Sequence, residues 1–304
     1  MKVIVAGGSG FVGYALIKKL LKDGHSVVAL TRRRDAFKNL PDHRLTVEWW
    51  DGKFVGTWAA QVEGADAVVN LSGEGIADKP WSIERKRLIK ASRLEATHAV
   101  TSAIARCLKR PRVLVNASAV GFYGPVPDGD MTEASPKGKG YLADVCADLE
   151  NEAKKAEALG VRVVLMRMRV ALEKGGGAIQ KMTTPFKLYA GGPLGSGRQW
   201  FPWVHRDDVL GTVLFAMQNG ALSGPVNVVA PESLTMKQFC QALGKSMNRP
   251  SWAPVPGFVL KLLLGEMSSM LLTGQKAVPR KLQDAGYSFQ YPVADAALTA
   301  IFQK

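Results

Sequence analysis

Short apolar runs rich in β-branched residues alternate with amphipathic stretches through the first two thirds of the chain. The runs predict strands at Lys2–Ala6, Ser26–Thr31, Leu45–Trp49, Asp66–Leu71, Arg112–Ala117 and Val161–Met168, with one more at Pro225–Ala230. Several are apolar without a break, as in parallel strands buried on both faces. Between them lie helical patterns. The clearest spans 82–109, where Leu94, Thr97, His98, Thr101, Ile104, Ala105 and Leu108 fall on one helical face. Strand and helix in alternation predict an α/β fold, a Rossmann-like doubly wound parallel sheet. After about residue 171 the rhythm changes. Gly175-Gly-Gly177, Gly191-Gly-Pro193 and Gly195-Ser-Gly197 break the chain, and Phe258 to Leu272 is strongly apolar. The expected division is a dinucleotide-binding domain over 1–170 and a small C-terminal α/β substrate lobe over 171–304, with 205–230 returning to the first domain. The 258–272 stretch is too short to span a bilayer and reads as a buried or interface helix.

The first strand runs into Gly7-Gly-Ser-Gly-Phe-Val-Gly13 and then into a helical pattern. Strand, glycine turn and helix aim backbone N–H groups and a helix N-terminus at a pyrophosphate. Gly7, Ser9, Gly10, Phe11, Val12 and Gly13 are therefore expected to hold a dinucleotide. The second strand ends Thr31-Arg32-Arg33-Arg34, with no acid before Asp35. An Asp or Glu at that strand end bonds the free ribose 2′-OH of NAD, whereas an arginine suits the 2′-phosphate of NADP. Thr31 and Arg32 thus point to NADP(H).

Composition narrows the alternatives. Net charge is +14 and 47% of residues are hydrophobic. The basic residues are spread along the chain and accompany no nucleic-acid motif, so attraction of phosphorylated ligands is favoured over nucleic acid or membrane. Cys107, Cys146 and Cys240 are far apart, and His25, His43, His98 and His205 lack ligand spacing, which argues for reduced thiols and against a metal site. No signal-like segment opens the chain, so a cytoplasmic location is expected. The expected partner is a small molecule, an anionic one included. A monomer and a homodimer both remain open.

Further motifs are Val69-Asn-Leu-Ser-Gly-Glu74, Ile76-Ala-Asp-Lys79, Ser118-Ala-Val-Gly-Phe-Tyr-Gly124, Gly191-Gly-Pro-Leu-Gly-Ser-Gly-Arg-Gln-Trp200, Trp203-Val-His-Arg-Asp-Asp208 and Gly265-Glu-Met267. Together with the glycine loop they resemble, over nearly the whole chain, the atypical extended short-chain dehydrogenase/reductases called epimerase family or nucleoside-diphosphate-sugar-epimerase-like proteins. The resemblance implies a cleft between cofactor domain and substrate lobe. It implies that Leu71, Ser72, Gly73 and Glu74 line the cofactor, and that Ser118, following the fifth strand, stands near the nicotinamide. Typical members pair a Tyr with a Lys four residues later; here the place reads Tyr141-Leu-Ala-Asp-Val145. A Tyr without its cation is a poor base at neutral pH. Ser118 and Tyr141 are the catalytic candidates. Trp81, Tyr123, Arg198, Gln199 and Trp200 are the substrate-side candidates, since Arg can hold a carboxylate or phosphate and Trp can stack on a ring. Arg167 matches the family strand, whereas Met168 and Arg169 replace small residues; Arg169 either alters the nicotinamide end or faces solvent. Three functions stay open: an NADP(H)-dependent oxidoreductase or epimerase-like enzyme, a catalytically quiet NADPH sensor, and an NAD-dependent nucleotide-sugar epimerase.

Overall fold

The chain was analysed as a computed structural model that describes residues 1–303; Lys304 and the Arg34 side chain lie outside the described residues. Five strands open the sheet: β1 (Lys2–Ala6), β2 (Ser26–Thr31), β3 (Leu45–Trp49), β4 (Ala67–Asn70) and β5 (Val113–Ala119). With Arg162–Met168 and Gly224–Val228 they form one seven-stranded sheet in the order 224–228, 162–168, β5, β4, β1, β2, β3. Every pairing in it is parallel. Alternate side chains serve two cores: Val3 and Val5 pack on one face with Leu16, Leu20 and Val213, and Ile4 and Ala6 on the other with Val100 and Ile104. Continuous apolar strands follow from this double burial. A third core joins Phe186, Trp203, Phe239, Leu243 and Leu298 in the C-terminal part. No helix among the described residues is long and apolar enough to cross a membrane.

Three differences from expectation bear on the site. β5 runs two residues further than its apolar stretch, because Ser118 and Ala119 still pair with Arg167 and Met168. Ser118 therefore lies inside a strand and does not follow it. Helix α2 (Ile83–Ala105), capped by the Ser82 hydroxyl, buries Ala96, Ala99, Val100 and Ala103, while Leu108 lies past its end and is 99% exposed. Small residues let this helix sit close to the sheet; of the expected face Thr97, Thr101 and Ile104 are buried, whereas Leu94, His98 and Ala105 are not. The apolar C-terminal helix Gly257–Leu264 buries only Leu260 and exposes Phe258, Leu262 and Leu263. Of the expected buried or interface helix, the buried alternative is corrected there.

Candidate cofactor and substrate site

The glycine loop is shaped by contacts that forbid a side chain. Gly7 has φ 77°, and a Cβ on it would lie 2.9 Å from the Leu71 carbonyl carbon. A Cβ on Gly13 would lie 2.3 Å from the Gly7 oxygen. Close approach of turn, strand end and helix is the reason for glycine here. Helix α1 (Phe11–Lys22) begins at Gly10 with no side-chain cap and no acid in its first turn. Its first N–H groups are left for an anion.

Thr31 Oγ1 donates to Ser9 Oγ at 2.8 Å and accepts from Arg33 N at 3.0 Å, tying the end of β2 to the loop. The Arg33 guanidinium donates to the Ser9 carbonyl at 2.8 Å. Arg32 is 68% exposed and lies 3.3 Å from Glu74, whose other oxygen is 3.4 Å from Arg85. Such an exposed pair is weak and can exchange its partner. Ser9, Thr31, Arg32, Arg33 and Glu74 line a cavity of about 390 Å³ with Gly7, Gly10, Leu71, Ser72 and Gly73. Glu74 thus borders the cavity as the partner of Arg32. Phe11, Val12 and Gly13 lie on α1 outside the lining; the Phe11 ring packs against Gly176 and 5.2 Å from the Arg206 guanidinium. Sequence reasoning missed Arg33, Trp50, Asp51 and Lys53, which also line the cavity. The signal was available: in a parallel sheet the residues after β3 share an edge with those after β1 and β2.

A second cavity, of about 180 Å³, opens past the carboxyl ends of β5 and of Arg162–Met168. Trp81, Tyr141, Arg169, Lys139, Glu266 and Gln275 line it. Tyr141 is the first residue of helix α3 (Tyr141–Lys154). Its hydroxyl donates to the Lys86 carbonyl, and its ring meets Trp81 edge-on with centroids 5.3 Å apart. Burial pushes the Tyr141 phenol above its ordinary range, and the Arg93 charge only partly opposes this. Val145, at the place of the family lysine, is buried.

Behind this cavity lies a closed polar network. Ser118, 8% exposed, donates from Oγ to Glu150 Oε1 at 2.7 Å. Arg167 grips both oxygens of Glu150, from Nε at 2.8 Å and from Nη2 at 2.7 Å. Arg167 also donates to the Tyr123 hydroxyl, which donates to Asn227 Oδ1 at 2.7 Å. Tyr123 is only 1% exposed and is turned away from both cavities. Its expected place against substrate is corrected: a buried Tyr needs a partner, and the network supplies it. The Ser118 proton is likewise committed to Glu150. Glu150 and Asn227 were missed. Glu150 falls on the apolar face of α3 with Ala143, Cys146 and Ala153, and a carboxylate there calls for a cation.

The glycine-rich segment does not reach either cavity lining. Gln199 donates to the Leu194 and Leu271 carbonyls, Trp200 to the Pro127 carbonyl at 2.9 Å, and Arg198 is exposed. Gln199 and Trp200 thus spend these donors on loop carbonyls, whereas the exposed Arg198 stays outside both linings. Glu173, His205 and Asp207 do lie within 4.8 Å of one another. However, His205 Nδ1 accepts from the Asp207 N–H at 3.1 Å and Glu173 pairs with Arg206 at 3.0 Å. Burial holds the His205 pKa down, consistent with a neutral ring that caps a helix and lies against Tyr291. The three cysteines are free and buried, and burial raises the Cys146 thiol to about 11.

Residues 3–229 match the model of the NAD dependent epimerase/dehydratase family. The chain belongs to that family. Residues 255–301 of this epimerase-family chain match a domain of unknown function, DUF1731. It is 42% identical over 311 residues to the chloroplastic epimerase family protein SDR39U1 homolog of Arabidopsis thaliana, covering all of this chain and 87% of that protein. It is 35% identical over 303 residues to epimerase family protein YfhF of Bacillus subtilis, covering 99% and 98% of the two. The structure of human epimerase family protein SDR39U1 (isoform 2) with NADPH superposes with a TM-score of 0.89 at 34% identity and full coverage of both chains. UDP-glucuronic acid 4-epimerase from Bacillus cereus with NAD has a TM-score of 0.80 at 16% identity, covering 100% and 98%, and shares the fold.

Proposed function

We propose that this epimerase-family chain binds NADP(H) and is an oxidoreductase acting on a small carbonyl or alcohol. One observation carries the cofactor reading: where an NAD-selecting carboxylate would end β2, Thr31 bonds the glycine loop and Arg32 and Arg33 border the cavity. The human relative's structure with NADPH supports it. The residues present fit the group, because the loop accepts no Cβ at Gly7 or Gly13 and the α1 N-terminus lacks a cap of its own. The loop N–H groups would hold the pyrophosphate, and Arg32 and Arg33 the 2′-phosphate, with Arg32 leaving Glu74. The bound nicotinamide supplies or accepts a hydride. At the other end Tyr141, kept neutral by burial, orients the substrate oxygen as a donor in place of its bond to the Lys86 carbonyl. Ser118 acts at one remove, by holding Glu150. With Val145 in place of lysine, no cation stands four residues on to lower the Tyr141 pKa, so the proton comes from another group or from water.

Val145 also favours a second reading, NADPH binding without turnover. Incubating the protein with NADPH and a panel of small aldehydes, ketones and 2-oxo acids separates the two. Consumption of NADPH with at least one of them is expected. NADPH that binds but is never oxidised selects the quiet sensor, and absence of binding overturns both.

A further inference from the structure

Arg169 directly follows the strand Arg162–Met168 and lines the cavity beside Tyr141. Several other arginines withdrawn from solvent are matched: Arg167 by Glu150, Arg206 by Glu173, Arg85 by Glu74, and Arg162 by two backbone carbonyls; Arg93 donates to the Ile89 carbonyl and still feels the charge of Glu74. Arg169 donates only to the Met270 carbonyl and has no acidic neighbour among the described residues. Burial alone lowers its pKa, to about 10, so it stays charged at neutral pH without a counter-charge. An uncompensated cation facing a cavity is costly, and an incoming anion relieves that cost. Glu266, the one acid on the cavity wall, is engaged by Lys86 at 2.7 Å. The edge-on pair Trp81 and Tyr141 also lines this cavity.

We propose that Arg169 anchors the carboxylate of a small substrate, so that the compound acted on beside Tyr141 is a low-molecular-weight carboxylic acid. A planar guanidinium fork carrying one charge matches a carboxylate in shape and charge. The role of the site as a reaction centre rests on the oxidoreductase reading; the anion contact itself does not.

Calorimetric titration of the full chain, with and without saturating NADPH, tests this. The probe is pyruvate, compared with its neutral isostere pyruvamide and with inorganic phosphate. Pyruvate is expected to bind at least about tenfold more tightly than pyruvamide, and Arg169→Gln to lose about tenfold or more for pyruvate, the factor set by one charged hydrogen bond. NADPH affinity of Arg169→Gln is expected to match the wild type. The anchor is overturned by equal pyruvate binding in Arg169→Gln, by no pyruvate binding to the wild type, by tighter Arg169-dependent binding of phosphate, or by loss of NADPH in the variant. Arg169-dependent pyruvate binding in a chain that does not bind NADPH defeats the oxidoreductase reading and leaves the anchor standing. Should Arg169→Gln not fold, the wild-type contrast decides: equal affinities for pyruvate and pyruvamide refute the proposal.

Discussion

At the nucleotide end of the cleft the chain presents backbone: glycines that admit no Cβ, an uncapped helix start, and two arginines held by weak or backbone contacts. At the other end it presents side chains already bonded to one another. Ser118 is bound to Glu150, Tyr141 to a backbone carbonyl, and Tyr123 to Asn227 and Arg167. The first end is preorganised for a ligand that brings its own charge. The second spends its polar groups on holding β5, α3 and the strand Arg162–Met168 together, and keeps Arg169 free of an acidic partner. A fold can thus offer a glycine-lined cradle at one end of a cleft while the polar side chains at the other hold its elements together.

The sharpest way to break this contrast is Glu150→Gln. It strips the buried Arg167 of its counter-charge, and a loss of about 3–5 kcal/mol in urea unfolding is expected. Unchanged stability with lost turnover would make the network catalytic machinery instead. Next comes Gly13→Val. Its side chain would push on the Gly7 carbonyl, costing about 1–3 kcal/mol as overpacking. NADPH affinity should fall by more than about tenfold; retained affinity would mean that the loop is not the cradle. The smallest effect belongs to Tyr141→Phe, which removes one hydrogen bond worth about 0.5–1.5 kcal/mol. Because burial raises the Tyr141 pKa, the folded chain keeps the proton where the unfolded chain loses it. The Tyr141 contribution to stability is therefore constant below about pH 10 and lost above it. A tyrosinate signal from Tyr141 near neutral pH would contradict this.

Much of the fold could be read because parallel strands need unbroken apolar runs; Ser26–Thr31 and Leu45–Trp49 were legible to the residue. The nucleotide end was legible because glycines there answer to backbone geometry, which sequence records directly. The substrate end was not. Asn116 and Ser118 are polar residues inside a strand, so the apolar run stops before β5 does. Gly121-Phe-Tyr-Gly124 has the composition of a loop, yet a single 3₁₀ turn carries Tyr123 into the core. Trp200 and Gln199 have binding-site chemistry, but nearby carbonyls take their donors. Whether a polar side chain faces a ligand or a neighbour depends on contacts far apart in the chain. Glu150 was readable from its helix face, whereas its partner Arg167 was not.

The measurement that bears most directly on the account is the pair of dissociation constants for NADPH and NADH, in the wild type and in Arg32→Ala/Arg33→Ala. The account predicts NADPH tighter by at least about tenfold, or about 1.4 kcal/mol, in the wild type. It predicts that the preference vanishes in the double variant through loss of NADPH affinity alone. Equal or tighter binding of NADH by the wild type, or equal losses of both cofactors in the variant, would contradict it.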